Sequence, residues 1–431
     1  MPAVTDFIPS SSEASHTQPA NSRPFRIFDW PRDTTPAERS TLVAGGAGWM
    51  LDAMDAMLYS YVVVALIPAF GISKATAGSL NALMLIASAL GGLLFGVIAD
   101  RIGRVRALMA SILIYSLASA ASGFAQSIPQ LAVFRFILGL GMGGEWTTAA
   151  ALIAETWRPE HRGKALGVMQ SAYAIGEAIA AVIFLLVLPR FGWRAVFFIG
   201  VLPAFLVLWI QRRVPESDLW KRRAVQSQRV SLRRLLDKDV LSRGLLATSM
   251  NAAAMFGYWG LFTWIPGYLS LPPSQGGRGL SLATATAFIL VLCVGKWLGY
   301  ALFGFFADRF GRRKPYFFYL LVAAFLVPLY GATRTPAVLL ILGPFIAFFG
   351  TGHFSGYAAI ASELFPGEIR AAAMGLSYNI GRGLSAIAPF AVGALASRFG
   401  FTTGFLLLAG SFLLGALLAL ALPETRGRQL D

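Results

Sequence analysis

Apolar residues fill this chain in long blocks, separated by short polar interruptions. The blocks are apolar on most sides, as helices buried in lipid and protein are. A spanning helix needs roughly 20 mainly apolar residues. Twelve stretches reach that length: 41–68, 74–99, 105–126, 129–155, 163–189, 193–213, 243–270, 281–307, 313–332, 335–362, 369–396 and 401–422. The fold class expected is an all-α membrane protein of twelve transmembrane helices in two pseudo-symmetric six-helix bundles. The chain divides accordingly into a tail (1–40), a first bundle (41–213), a linker (214–242), a second bundle (243–422) and a short tail (423–431).

Composition supports this division. Of 431 residues, 56% are hydrophobic and 13% charged, against roughly 25% charged in a soluble domain. A net charge of +15 raises the question of nucleic acid, and its distribution answers it. With the N-terminus inside, 27 of the 36 Lys and Arg fall in inner segments and 6 in outer loops. That follows the positive-inside rule, puts both termini in the cytoplasm and argues against a nucleic-acid partner. The expected location is the cell inner (plasma) membrane, multi-pass. The basic linker 211–243 suits one or two amphipathic helices along anionic lipid. The first 40 residues lack the apolar core of a signal peptide. The lone Cys293 excludes a disulfide within the chain and a paired-cysteine metal site, so no metal or other cofactor is expected.

The two halves repeat each other. "GVIADRIGRVR" (96–106) recurs as "GFFADRFGRRK" (304–314), 208 residues later. The same offset pairs Glu155 with Glu363, Arg162 with Arg370, and Pro215-Glu216 with Pro423-Glu424. Two six-span units in the same orientation place a substrate near the midplane between them.

The motif G-x-x-x-D-R-x-G-R-x-R/K, once in each half, resembles the signature of the major facilitator superfamily. "RFILGLGMGGEW", "AETWRPEHRGKALG" and "FGWRAVFFIGVLPA" resemble its metabolite:proton symporters of the sialate/lactate type. "GWMLDAMDAMLY" is similar to the Asp-x-x-Asp first helix of aromatic-acid symporters. The resemblance implies a cytoplasmic latch at Asp100, Arg101, Gly103 and Arg104, repeated at Asp308, Arg309, Gly311 and Arg312. Glu155, Arg162, Glu363 and Arg370, in the next cytoplasmic loops, are its candidate partners. A short Gly-bearing loop turns tightly, and an acid there can meet a helix N-terminus or an arginine. The superfamily also implies that spans 1, 4, 7 and 10 line a central cavity, and that a monomer is the usual form.

An ionisable residue inside a span defaults to a functional hypothesis. Asp52, Asp55, Glu145 and Glu177 are such acids, all in the first half; Lys296, His353 and Arg382 are such bases, all in the second. Arg135 lies closer to the outer face, where it is expected to tether helices. At about 1.5 Å per residue, Asp52, Glu145 and His353 share a depth of about 25 Å from the outer ends. His353, the 208-residue counterpart of Glu145, is expected to face it. The acids are candidates for proton coupling and the bases for holding an anion, since Arg offers a fork that matches a carboxylate. Each could instead be a structural partner of an opposite charge.

Gln170, Tyr173, Tyr378 and Asn379 offer hydrogen-bonding groups near the substrate level, and Tyr258 and Trp259 an aromatic wall. Gly139-x-Gly141-x-Gly143-Gly144 follows no strand, so it is not a nucleotide loop; small residues so spaced let helices pack closely in lipid. The leading function is proton-coupled uptake of a small organic anion such as a monocarboxylate, sugar acid or aromatic acid, with protons and the lipid bilayer as the other partners. Proton-coupled export of a drug-like compound, sugar or polyol transport, and a non-transporting sensor are the competing readings. No catalytic residues are assigned and an enzyme is not expected: only three His are present and no cluster of His, Asp or Ser faces either side.

Overall fold

The computed structural model describes residues 34–226, 237–365 and 370–425. Fifteen α-helices make up its regular structure, with one 3-10 turn at Pro273–Gln275. In the first half these are α1 (Pro36–Phe70), α2 (Lys74–Ile102), α3 (Arg104–Ser122), α4 (Ile128–Thr156), α5 (Pro159–Ile199) and α6 (Pro203–Arg213). A short helix, α7 (Asp218–Gln226), belongs to the linker, whose residues 227–236 lie outside the described residues. The second half holds α8 (Lys238–Ser270), α9 (Leu282–Phe310), α10 (Arg313–Ala332), α11 (Pro336–Thr351), α12 (His353–Leu364), α13 (Arg370–Ser385), α14 (Ile387–Phe399) and α15 (Phe401–Ala421).

Local chemistry sets these boundaries. Ser73 and Ser281 cap α2 and α9 by accepting from the backbone N–H groups of Thr76 (3.1 Å) and Thr284 (3.2 Å), and so satisfy donors that a helix start leaves free. Prolines occupy the first turn of α4, α5, α6 and α11, where a missing N–H costs nothing. α2 passes into α3 through Gly103 (φ 105°), and α9 ends at Gly311 (φ 91°); glycine adopts such positive φ without a Cβ penalty.

Among the described residues, ten stretches are long and apolar enough to cross a membrane. Expected spans 163–189 and 193–213 run together as Ala165–Arg213, although the backbone leaves helical geometry at Gly192 (φ 73°, ψ 178°). Expected span 243–270 lies in α8 and is not among the ten: Asn251, Tyr258, Trp259 and Trp264 dilute its apolar character. The expected spans 335–362 and 369–396 are each divided between two helices, at Gly352 and Ala386, although the backbone stays in the helical region at both (φ −56°, ψ −26° and φ −61°, ψ −24°).

Packing partly follows the repeat. In the first half α1 packs on α5, and α2 and α3 on α4; in the second α8 packs on α13 and α15, and α9 on α11. The halves meet along a seam where α5 packs on α9, α2 on α13 and α14, and α1 on α8. The contact of α2 with α4 runs backbone to backbone. A methyl group on Gly143 would strike the Ser88 carbonyl, and one on Gly91 the Leu140 carbonyl. Glycine permits that approach, which in lipid is a main source of helix association.

Candidate functional site

Three buried charges, one each on α1, α4 and α13, lie within reach of one another's fields. Asp52 on α1 and Glu145 on α4 are fully buried, and none of their four carboxylate oxygens has a hydrogen-bond partner. Arg382 on α13 is 2% exposed, and its Nε is also without a partner. The guanidinium charge acts on both carboxylates, and the carboxylates act on each other. No ion pair within 4.0 Å joins Arg382 to either acid, so the three are close but not mutually satisfied. The sequence makes room for this. A methyl group on Gly48 would lie 2.5 Å from Glu145 Oε1, so the carboxylate occupies space that a side chain at this position of α1 would take.

Aromatic rings enclose the cluster. The Arg382 guanidinium stands 5.6 Å from the Trp259 ring centroid. Trp49 packs on Tyr173 at 5.0 Å. Trp146 stacks on Tyr378 across the seam at 4.3 Å, with 10° between the planes, and its Nε1 donates to Gln170 Oε1 (3.4 Å). Tyr173 and Tyr258 are neighbours, also across the seam. Rings and cations combine favourably in such a wall.

The other expected site residues are elsewhere. Lys296 Nζ donates to both oxygens of Glu177, at 2.7 and 2.6 Å, and lies 3.4 Å from the Phe262 ring centroid. This buried pair joins α5 to α9, so the two residues satisfy each other rather than standing as a separate acid and base. At the positions 208 residues away stand Ser385 and Ser88, uncharged. Asp55 accepts a short hydrogen bond from Ser119 and senses the charge of Arg135. Asn379 donates to Gly375 O in its own helix (2.9 Å), and its amide abuts Gly92 of α2.

His353 corrects the expectation that it faces Glu145. Its ring lies on Phe354 at 4.5 Å and edge-on to Tyr316 of α10 at 5.9 Å, and neither ring nitrogen has a hydrogen-bond partner. α12, which carries His353, packs on α9, α10 and α13 of its own half, and the ring is held among the aromatic side chains there.

At the Gly103 end, the loop residues form the same network twice. Arg104 pairs with Asp100 (2.5 Å) and Glu155 (3.0 Å), and the Glu216 carboxylate accepts from the N–H groups of Arg104 (2.9 Å) and Val105 (3.1 Å). In the second half Arg312 pairs with Glu363 (3.1 Å), and Glu424 accepts from the N–H groups of Arg312 (2.7 Å) and Arg313 (3.2 Å). A carboxylate at a helix N-terminus also complements the helix dipole. Each of these ties lies within one half. Trp220 of α7 joins the first network by donating from Nε1 to the Asp100 carbonyl (2.9 Å). Arg101 is exposed, and Arg309 lies over Phe310 at 5.6 Å. The side chains of Arg162, Asp308 and Arg370 lie outside the described residues.

The family model described as Major Facilitator Superfamily matches residues 46–298 and 270–430. The chain belongs to the Major Facilitator Superfamily. Similar members of the superfamily include the probable 4-methylmuconolactone transporter of Cupriavidus pinatubonensis, 33% identical over 94% of this chain and 95% of that one. The cis,cis-muconate transport protein of Acinetobacter baylyi is 31% identical, over 87% of this chain and 92% of that one. The crystal structure of a D-xylose-proton symporter has the same superfamily fold, with a TM-score of 0.73 at 22% identity over 91% of this chain and 100% of that one. The chain is therefore a membrane protein of a transporter superfamily.

Several residues of these clusters carry no signal in the sequence. Trp146, Trp49 and Ser119 are ordinary members of apolar helices until the fold brings their partners to them. Glu216 and Glu424 do carry one: they recur at the 208-residue offset of the internal repeat.

Proposed function

We propose that this protein is a proton-coupled symporter that takes a small organic anion into the cell by alternating access. It crosses the plasma membrane twelve times, in two six-helix bundles with both termini in the cytoplasm, and works as a monomer. The observation that carries this reading is the buried Arg382, set beside Asp52 and Glu145 without an ion pair to either. A buried charge without a partner is costly and persists where function requires it. A carboxylate ligand supplies the partner, and Arg holds carboxylates strongly. Binding of a monocarboxylate adds one negative charge to the cluster. One proton taken up by Asp52 or Glu145 restores the balance, so the loaded site changes conformation without carrying extra charge through the membrane.

The surrounding rings support an unsaturated or aromatic acid, and the named substrates of the two relatives are of this kind. The positions of the ties across the seam support a closed outer side. Lys74 Nζ donates to Gln275 O (2.5 Å), and Asn81 Nδ2 to Thr263 Oγ1 (2.8 Å), both near the Lys74 end. At the Gly103 end, taken as cytoplasmic from the charge distribution, the Arg104–Glu155 and Arg312–Glu363 pairs each join residues of one half.

Uptake by proteoliposomes tests this reading, with labelled cis,cis-muconate, 4-methylmuconolactone and benzoate under an imposed inward proton gradient. Accumulation of at least one acid, abolished by a protonophore, is expected. Uptake that ignores the gradient overturns proton coupling, and the absence of uptake of any acid overturns the substrate class.

A further inference from the structure

We propose that Arg135 and Asn81 form a second carboxylate-binding station, shut in this conformation and opened to the outside when α2 and α8 part. The inference rests on the carrier reading and its topology. Arg135 is fully buried on α4. Its Nη2 reaches Asn81 Oδ1 at a long 3.4 Å, its guanidinium stands 4.4 Å from the Tyr59 ring centroid, and Nε and Nη1 have no hydrogen-bond partner. Asp55 acts on this charge from nearby: one of its oxygens accepts from Ser119, the other is buried without a partner, and no ion pair joins it to Arg135. A buried guanidinium with two idle donor nitrogens keeps hydrogen bonds to offer a ligand, since each unmet donor costs free energy that a carboxylate oxygen would return.

The surroundings supply the gate. The Asn81 amide bridges two groups: its oxygen accepts from Arg135, and its nitrogen donates to Thr263 on α8, in the other half of the chain. Two further contacts hold the same end of α2 to the second half: Lys74 with the Gln275 carbonyl, and Gly78 with the Pro389 carbonyl of α14. When α8 and α14 withdraw, these ties break together. α4 stays with α2, because Gly143 and Gly91 bring their backbones into contact. Arg135 and Asn81 therefore remain together and face the opening, with the amide nitrogen of Asn81 released as another donor.

Arg135 lies ten residues before Glu145 on the same helix, roughly 15 Å toward the outside. An incoming carboxylate would reach it before Arg382. The ligand class is the same as for the inner cluster: a small organic acid held through its carboxylate. The station differs in being accessible from one side only.

Sidedness provides the test. Reconstituted wild type, Arg135→Gln, Arg135→Lys and Asn81→Ala are assayed with whichever of cis,cis-muconate, 4-methylmuconolactone and benzoate the wild type takes up fastest. Half-saturating concentrations are measured for entry from the outer face and, by exchange, at the inner face. Arg135→Gln is expected to raise the outer value roughly tenfold or more and leave the inner value unchanged. Arg135→Lys and Asn81→Ala, which keep the cation, are expected to give smaller rises on the same face. An unchanged outer value in Arg135→Gln, or equal rises on both faces, overturns the inference while leaving the carrier reading intact. A wild type that takes up none of the acids overturns the carrier reading itself, and the station with it.

Discussion

The Lys296 ammonium and the Glu177 carboxylate meet at 2.6 Å on the seam between the two halves, with side chains 0% and 6% exposed. Breaking a buried pair leaves one charge without a partner, at a cost of about 3–5 kcal/mol, whereas replacing both with apolar groups is often neutral. Lys296→Met alone should therefore lower the thermal stability of the purified protein sharply, and Glu177→Met together with Lys296→Met should recover most of the loss. A double variant as unstable as the single one would show that the pair is not the source of the effect.

Glu145 has no partner to lose, so its removal should cost function more than stability. Glu145→Gln is expected to abolish gradient-driven accumulation while exchange of internal for external substrate continues. Intact accumulation in this variant would make Glu145 a structural residue.

Arg382 should discriminate by charge. Replacing it with Ala is expected to weaken binding of benzoate roughly ten- to hundredfold, the worth of a hydrogen-bonded charge contact, and to affect the neutral benzamide little. Titration of both ligands against tryptophan fluorescence reads the difference, and equal loss for acid and amide would point to misfolding.

Gly48 offers a test that does not touch a charged residue. Gly48→Ala places a methyl group where the Glu145 carboxylate lies and should displace it, since overpacking a tight core forces neighbours to shift. The variant is expected to lose gradient-driven uptake as Glu145→Gln does. Normal uptake would mean that the carboxylate has other room to occupy.

Much of the fold was legible in the sequence because the bilayer imposes length and polarity on each helix separately. The 208-residue repeat and the motifs at Asp100 and Asp308 depend only on local sequence, and they pointed to the superfamily. The pairing of charges was less legible. Glu177 and Lys296 are far apart in the chain, and nothing in either span shows that the other will meet it. Gln170 and Asn379 read alike as polar residues in matching spans, yet one accepts from Trp146 and the other donates to its own backbone. His353 misled for a different reason: counting residues gives a depth along the helix but not what the ring packs against, and it lies on Phe354 and Tyr316 of its own half.

The internal repeat is uneven in what it preserves. Arg104, Glu155 and Glu216 recur as Arg312, Glu363 and Glu424 with nearly the same bonds, while Glu177 and Lys296 correspond to Ser385 and Ser88. The repeat supplies two copies of the same loop fittings. One flank of the doorway is bolted with full charges and the opposite flank is left to hydroxyls. The two flanks should therefore resist opening unequally, and a rocking motion symmetric in its backbone would be lopsided in its energy.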